Sequence, residues 1–194
     1  MQQFESLAES AQHCQRNWDH SRPVSRDQVL HLLRVAHLMP TKQNQHTIQC
    51  VAFVTRDIVQ RIGQYAYDPR QHPKLTGLQS NPQIDAPLLL AWFKTRKPTR
   101  FSNPVEMETG ISSGAVALAA ADLGMRSGFC VCVENRIKLW HKRDRKLLKS
   151  IGYEPGDICL LMGVGYGQKD VAHNQTDWKT FHTYPKHDFE PVIV

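Results

Sequence analysis

The chain has 194 residues, 41% of them apolar and 22% charged, which is enough to bury a continuous core and excludes an intrinsically disordered chain. Its formal net charge of +6 suits an anionic ligand, nucleic acid or phosphorylated cofactor alike. The opening residues Met1-Gln2-Gln3-Phe4-Glu5 carry no targeting signature and no apolar run approaches a bilayer's width, so the expectation is a soluble, cytoplasmic protein with no membrane partner.

Residues 4–16 and 25–37 read as amphipathic helices, the second with Val29, Leu32, Leu33 and Ala36 on one face. Ser25 followed by Gln28 is a capping box that marks its start. Pro40 ends it, and the polar run Thr41-Lys42-Gln43-Asn44-Gln45-His46 is a loop between two core elements, the place for a ligand loop. Residues 48–54 read as a strand, 57–67 as a helix and 87–93 as a short apolar strand buried on both sides.

The longest helix spans residues 106–124 and is rich in small side chains, among them Gly110, Ser112, Ser113, Gly114, Ala117 and Ala120. Its backbone can lie close to whatever it packs on: either its own domain or a second copy of itself across an interface. Residues 128–133 and 158–165 read as strands around a basic helix near 137–150 that Gly152 terminates. In the tail, Phe189 to Val194 reads as an edge strand carrying Pro191. With no repeat or linker, the order of elements describes one domain over residues 1–194, α+β or mixed α/β.

Several chemistries have no support. There is no H-E-x-x-H, G-x-x-x-x-G-K-[ST] or G-x-S-x-G motif, and the five cysteines form no C-x-x-C pair, so neither a metal site nor a structural disulfide is expected. His182 and His187 read as a solvated pair. Gly163-Val164-Gly165-Tyr166-Gly167 is superficially like a dinucleotide loop, yet only 27 residues follow it and they show no helix and strand to complete a Rossmann unit. The basic clusters at 96–100 and 142–146 lack an aromatic platform, so they read as solvated faces and nucleic acid is not expected as a partner.

Three segments together resemble the nitroreductase superfamily of FMN-dependent oxidoreductases over nearly the whole chain. Gln12-His13-Cys14-Gln15-Arg16-Asn17-Trp18 with Pro23-Val24-Ser25 is similar to the family's R-[RH]-S-x-[RK]-x-[FW] segment. Ala36 to His46 is similar to A-x-x-[AS]-P-S-x-x-N-x-Q. Glu108-Thr109-Gly110 through Leu123-Gly124-Met125 is similar to the central-helix pattern, followed by Ile151-Gly152-Tyr153 and Gly163-Val164-Gly165-Tyr166.

The resemblance implies an α+β three-layer sandwich, a mixed central sheet flanked by helices, and an intertwined homodimer with FMN at its interface. It places Gln12, His13, Cys14 and Arg16 at the flavin phosphate, Thr41, Lys42 and Asn44 in a second flavin contact, Asn81 near a third, Cys130 and Val131 beside the ring, and Lys186 as a C-terminal basic contact. Arg16 and Lys42 suit a phosphate carrying nearly two negative charges, which needs several donors. The cradle departs from the pattern where Gln12 replaces arginine, Cys14 replaces serine and His46-Thr47-Ile48 replaces Q-P-[WF].

The implied reaction is a ping-pong transfer from NADH or NADPH through FMN to a flat small molecule, a nitroaromatic, quinone or free flavin. The cofactor carries the chemistry and no catalytic side chain is expected. Two other classes remain open: a flavin-binding protein of this fold without turnover, for which the weakened cradle is the motive, and a basic nucleic-acid-binding module.

Overall fold

The computed structural model of the chain describes residues 2–11, 15–67, 80–95, 104–132 and 140–169. In chain order these form α1 (Gln2–Ala11), α2 (Arg26–Leu38), β1 (Ile48–Phe53), α3 (Arg56–Tyr65), β2 (Leu88–Lys94), α4 (Pro104–Asp122), β3 (Arg126–Cys130), α5 (Lys142–Ser150) and β4 (Ile158–Gly165). Short 3-10 turns occupy Lys42–Asn44 and Pro155–Asp157.

Local chemistry sets several of the boundaries. At the start of α2, Gln28 N donates to Ser25 Oγ (3.2 Å) while Ser25 N donates to the Gln28 side chain (2.9 Å), the reciprocal pairing expected of the capping box. Gly124 and Gly152 end α4 and α5 at φ +70° and +88°, a backbone region that costs other residues more. Beyond each glycine the next amide reaches back five residues, Met125 N to Ala120 O (2.8 Å) and Tyr153 N to Leu148 O (2.9 Å), and so closes a Schellman motif.

The strands lie in the order β1-β2-β4-β3. Every pairing among them is antiparallel, where a mixed sheet was expected. The lack of polar alternation in β2 and β4 reflects cover on both sheet faces, and two-sided cover does not require parallel neighbours. Phe189–Val194, the remaining segment read as a strand, lies outside the described residues.

Alternate residues of β2 feed two separate cores. Leu88, Leu90 and Trp92 pack with Val29, Leu32 and Ala36 of α2 and with Val116, Ala117 and Ala120 of α4. Leu89, Ala91 and Phe93 pack on the other face with Val59 and Ile62 of α3 and Leu148 of α5. The layers are therefore helices, sheet, helices: the α+β three-layer sandwich. On the first face Trp92 Nε1 donates to Ser112 Oγ (2.9 Å), which donates in turn to Ala36 O (3.0 Å), so one serine ties α2, α4 and β2 together.

On the second face the basic helix α5 is anchored by its one acidic residue. Asp144 is 4% exposed and accepts from Arg61 Nε (2.9 Å) and Tyr65 Oη (2.6 Å), while Lys142, Arg143 and Lys146 stay on the helix's outer side. The cluster at 142–146 is thus largely a solvated face around a buried carboxylate.

The glycines at 163, 165 and 167 serve close packing. A Cβ at Gly163 would collide with the Gln83 carbonyl oxygen and the Ala86 side chain, and one at Gly165 would collide with the Pro87 ring. Gly163→Ala is therefore expected to cost about 1–3 kcal/mol, as overpacking typically does, and to lower the melting temperature in a thermal denaturation scan. An unchanged melting curve would mean that the 80–87 turn yields freely.

Candidate functional site

The first group of candidate residues forms where residues 15–19 cross the ends of β3 and β4. Gln15 N donates to Ser127 O (2.8 Å), Asp19 N to Tyr166 O (2.8 Å) and Gln168 N to Asn17 O (3.0 Å), while Trp18 bridges to Gly167. Trp18 Nε1 donates to Pro82 O (2.7 Å) and brings in the turn at 80–85. Three segments far apart in sequence therefore meet in one corner, which holds Arg16, Asn81, Cys130 and Val131.

Their environments differ. Arg16 is half-buried and Val131 is 66% exposed, whereas Asn81 and Cys130 are buried. The Asn81 side chain is consumed by the fold: Nδ2 donates to Ala66 O (3.2 Å) and Cys130 Sγ (3.3 Å), and Oδ1 accepts from Gln83 N (2.9 Å). It shapes the turn that seats the corner. Two other buried polar atoms there, Gln15 Oε1 and Ser127 Oγ, make no hydrogen bond. Gln12, His13, Cys14 and Lys186 lie outside the described residues.

The second group is the loop between α2 and β1, and its backbone is unusual. Gln43, Asn44 and His46 take φ values of +50°, +58° and +50°, left-handed conformations that cost most L-residues on the order of 1–2 kcal/mol each. Glu108 of α4 holds the loop in place. This carboxylate is 1% exposed, and it accepts from Thr47 N (2.8 Å), Thr47 Oγ1 (2.8 Å) and Lys42 N (3.2 Å). Thr41 Oγ1 accepts from His46 N (3.4 Å), and the His46 ring stacks on His37 at 5.3 Å between centroids. Lys42 and Asn44 are exposed at the tip.

Behind this loop, between α2, α4 and β1, lies an open cleft of about 400 Å³. Its wall combines Leu33, Ala36 and Ile48 with Thr41, His46 and Glu108. Glu108 had been read only as the start of the central-helix pattern. A carboxylate at the head of a small, apolar helix is the signal, but Glu106 two residues earlier shares it, and the donors of Glu108 sit 61 and 66 residues away, beyond the reach of local pattern.

The sheet register keeps the two groups apart. Ile48, where the loop enters β1, pairs with Lys94, and Phe53 at the other end of β1 lies level with Leu89, Gly163 and Gly128. From Ile48 to that level is roughly 17 Å along the strands, and from β1 across to β3 is roughly 14 Å more. The Arg16 segment and the loop occupy diagonally opposite corners, with Cys130 between their levels beside Leu161, Ala91 and Val51, so Arg16 and Lys42 of one chain cannot grip the same phosphate.

Glu108→Gln replaces one acceptor oxygen with an N–H₂ facing amide donors, so it is expected to destabilise the fold by about 1–3 kcal/mol in urea denaturation. The same change should raise proteolytic cleavage within 41–47. A variant as stable and as resistant as the parent would show that the loop holds itself.

No family model and no curated protein matches the sequence. Solved structures do match in shape. A nitroreductase with bound FMN from Desulfitobacterium hafniense superposes with a TM-score of 0.66 at 16% identity, covering 96% of this chain and 100% of that one. One with bound FMN from Bacteroides fragilis gives 0.66 at 16% identity, over 94% and 98%. An FMN-dependent nitroreductase from Clostridium difficile gives 0.63 at 16% identity, over 96% and 100%. The fold of this chain is the nitroreductase fold.

Proposed function

We propose that two copies of the chain form a homodimer that binds FMN in composite sites and works as an oxidoreductase, taking hydride from NADH or NADPH and delivering electrons to a flat nitroaromatic, quinone or flavin. The observation that carries this reading is the separation of Arg16 from the 41–47 loop at opposite corners of the sheet. Pairing Arg16 of one copy with the 41–47 loop of the other unites what a single chain keeps apart.

Helix α4 supports the pairing. Its buried side carries Glu108, Ser112, Val116 and Ala120, while Met107, Gly110, Ile111 and Gly114 form an exposed stripe at helical spacing. A Cβ at Gly110 or Gly114 would meet nothing within 4 Å, so neither glycine is needed for packing inside one chain. The small, apolar stripe suits close approach by a second copy, and a stable dimer of this kind commonly buries more than about 2,000 Å².

The residues fit FMN. The Arg16 corner supplies a cation, and Ser127 Oγ and Gln15 Oε1 are polar capacity that the fold does not use. Arg16 binds the phosphate, the loop held by Glu108 covers the ring side, and the Asn81 turn keeps the corner in shape. Bound FMN would supply the two-electron chemistry. The similar structures named as containing FMN point the same way.

The purified protein is expected to carry a flavin absorption spectrum or to acquire one with added FMN. A preparation that stays colourless and refuses FMN would end the proposal, and flavin that no nicotinamide donor reduces would leave a binding protein without turnover. Arg16→Ala should weaken FMN binding about ten- to a hundredfold, the worth of a charge-assisted contact, and leave riboflavin binding unchanged. Equal loss for both ligands would make Arg16 a support of the fold. Ile111→Glu should convert the dimer to monomers in light scattering and abolish FMN binding with it.

A further inference from the structure

The end of β3, which the flavin reading sets beside the ring, carries a second chemistry in its thiols. Cys130 is the last residue of the strand and is 3% exposed, and Cys132, two residues on, is exposed in the turn that follows. The strand ends at Cys130, and the turn beyond it brings the Cys132 backbone back against the Cys130 sulfur. The two Cα atoms would stand about 6.8 Å apart in a fully extended strand, the outer edge of the range a disulfide spans, and the turn shortens that span.

The Cys130 sulfur is also held in place. It accepts from the buried Asn81 Nδ2 (3.3 Å) and from Cys132 N (3.4 Å). Two N–H groups aimed at one sulfur acidify its S–H and make it a better donor toward the neighbouring Cys132 sulfur. We propose that Cys130 and Cys132 form a thiol–disulfide exchange site for low-molecular-weight disulfides, with Cys132 the attacking thiolate and Cys130 the resolving thiol.

Other features of the chain favour this pair. The hydrogen bond from the Cys130 thiol holds the Cys132 pKa down at about 6, against a smaller opposing effect of burial, so Cys132 is mostly thiolate at neutral pH. Burial pushes the thiols of Cys50 and Cys159 up instead, which keeps them inert. An exposed attacking sulfur beside a buried resolving one is the arrangement that exchange requires.

The step balances. The Cys132 thiolate attacks one sulfur of R–S–S–R, the S–S bond breaks, and RS⁻ leaves with a mixed disulfide on Cys132. The Cys130 S–H gives up its proton to the departing thiolate or to water. Its sulfur then attacks Cys132 Sγ, forms the Cys130–Cys132 bond and expels the second RS⁻. The protein loses two electrons, and the disulfide gains them as two thiols.

Oxidised glutathione serves as the probe on the purified full-length protein, read by intact mass and peptide mapping. The unaltered chain is expected to lose two hydrogens and show a Cys130–Cys132 crosslink. Cys130→Ser should stop at one glutathionyl group on Cys132, and Cys132→Ser, a change at an exposed position, should leave Cys130 unmodified. Iodoacetamide alkylation of Cys132 should reach its half-maximal rate near pH 6, and Cys130→Ala, which removes the donor that serine would keep, should move that midpoint up toward the usual thiol range near 8.5. Should either Cys130 variant fail to fold, the crosslink map and the alkylation profile of the unaltered chain decide. A mixed disulfide that persists on Cys132, a crosslink from Cys132 to Cys14, or an ordinary alkylation profile would each overturn the proposal.

Discussion

Strand β2 must be covered on both faces, and the rest of the architecture follows from that requirement. Six consecutive side chains, Leu88 to Phe93, are fully buried, and each large one contributes roughly 1.5–3 kcal/mol when removed from water. One helical layer can satisfy only half of them. The chain therefore sends α2 and α4 to one side and α3 and α5 to the other. Because β2 and β4 form the middle of the sheet, β1 and β3 become its edges, and the segments that carry the site chemistry are left at those edges.

Polar groups inside this frame are fixed by single buried polar side chains. Glu108 fastens the 41–47 loop to α4, Asp144 seats α5 on α3, and Asn81 closes the turn that Gly128 and Gly163 make room for. Several donors converge on each of the two carboxylates, and Asn81 gives two hydrogen bonds and accepts one, which offsets the cost of burying a charge or a dipole. The same rule explains the serines of α4: Ser112 gives Trp92 a partner while keeping the helix slim enough to lie against the sheet.

What could be read from the sequence is what local chemistry determines. The Ser25 and Gln28 box, the Gly152 terminus and the apolar run of β2 each act within a few residues, so their patterns survive in the linear chain. The small residues of α4 were legible as composition, but not their division into a buried row with Glu108 and Ser112 and an open row with Gly110 and Gly114, which depends on where the sheet lies. The gathering of Arg16, Asn81 and Cys130 depends on hydrogen bonds between distant segments; Asn81 and Cys130 are 49 residues apart. Antiparallel pairing was hidden because two-sided burial erases the polar alternation that usually distinguishes it.

The three left-handed residues of the 41–47 loop carry a thermodynamic consequence. An unconstrained segment of this composition would sample many backbone states, and a ligand that selected one of them would lose part of its affinity to that ordering. Here part of that ordering precedes any ligand, because buried Glu108 fixes Lys42 and Thr47 at the two ends of the loop as the protein folds. The cleft is partly preorganised. A molecule entering it meets a loop already fastened at both ends, so less of its affinity is lost to ordering the protein.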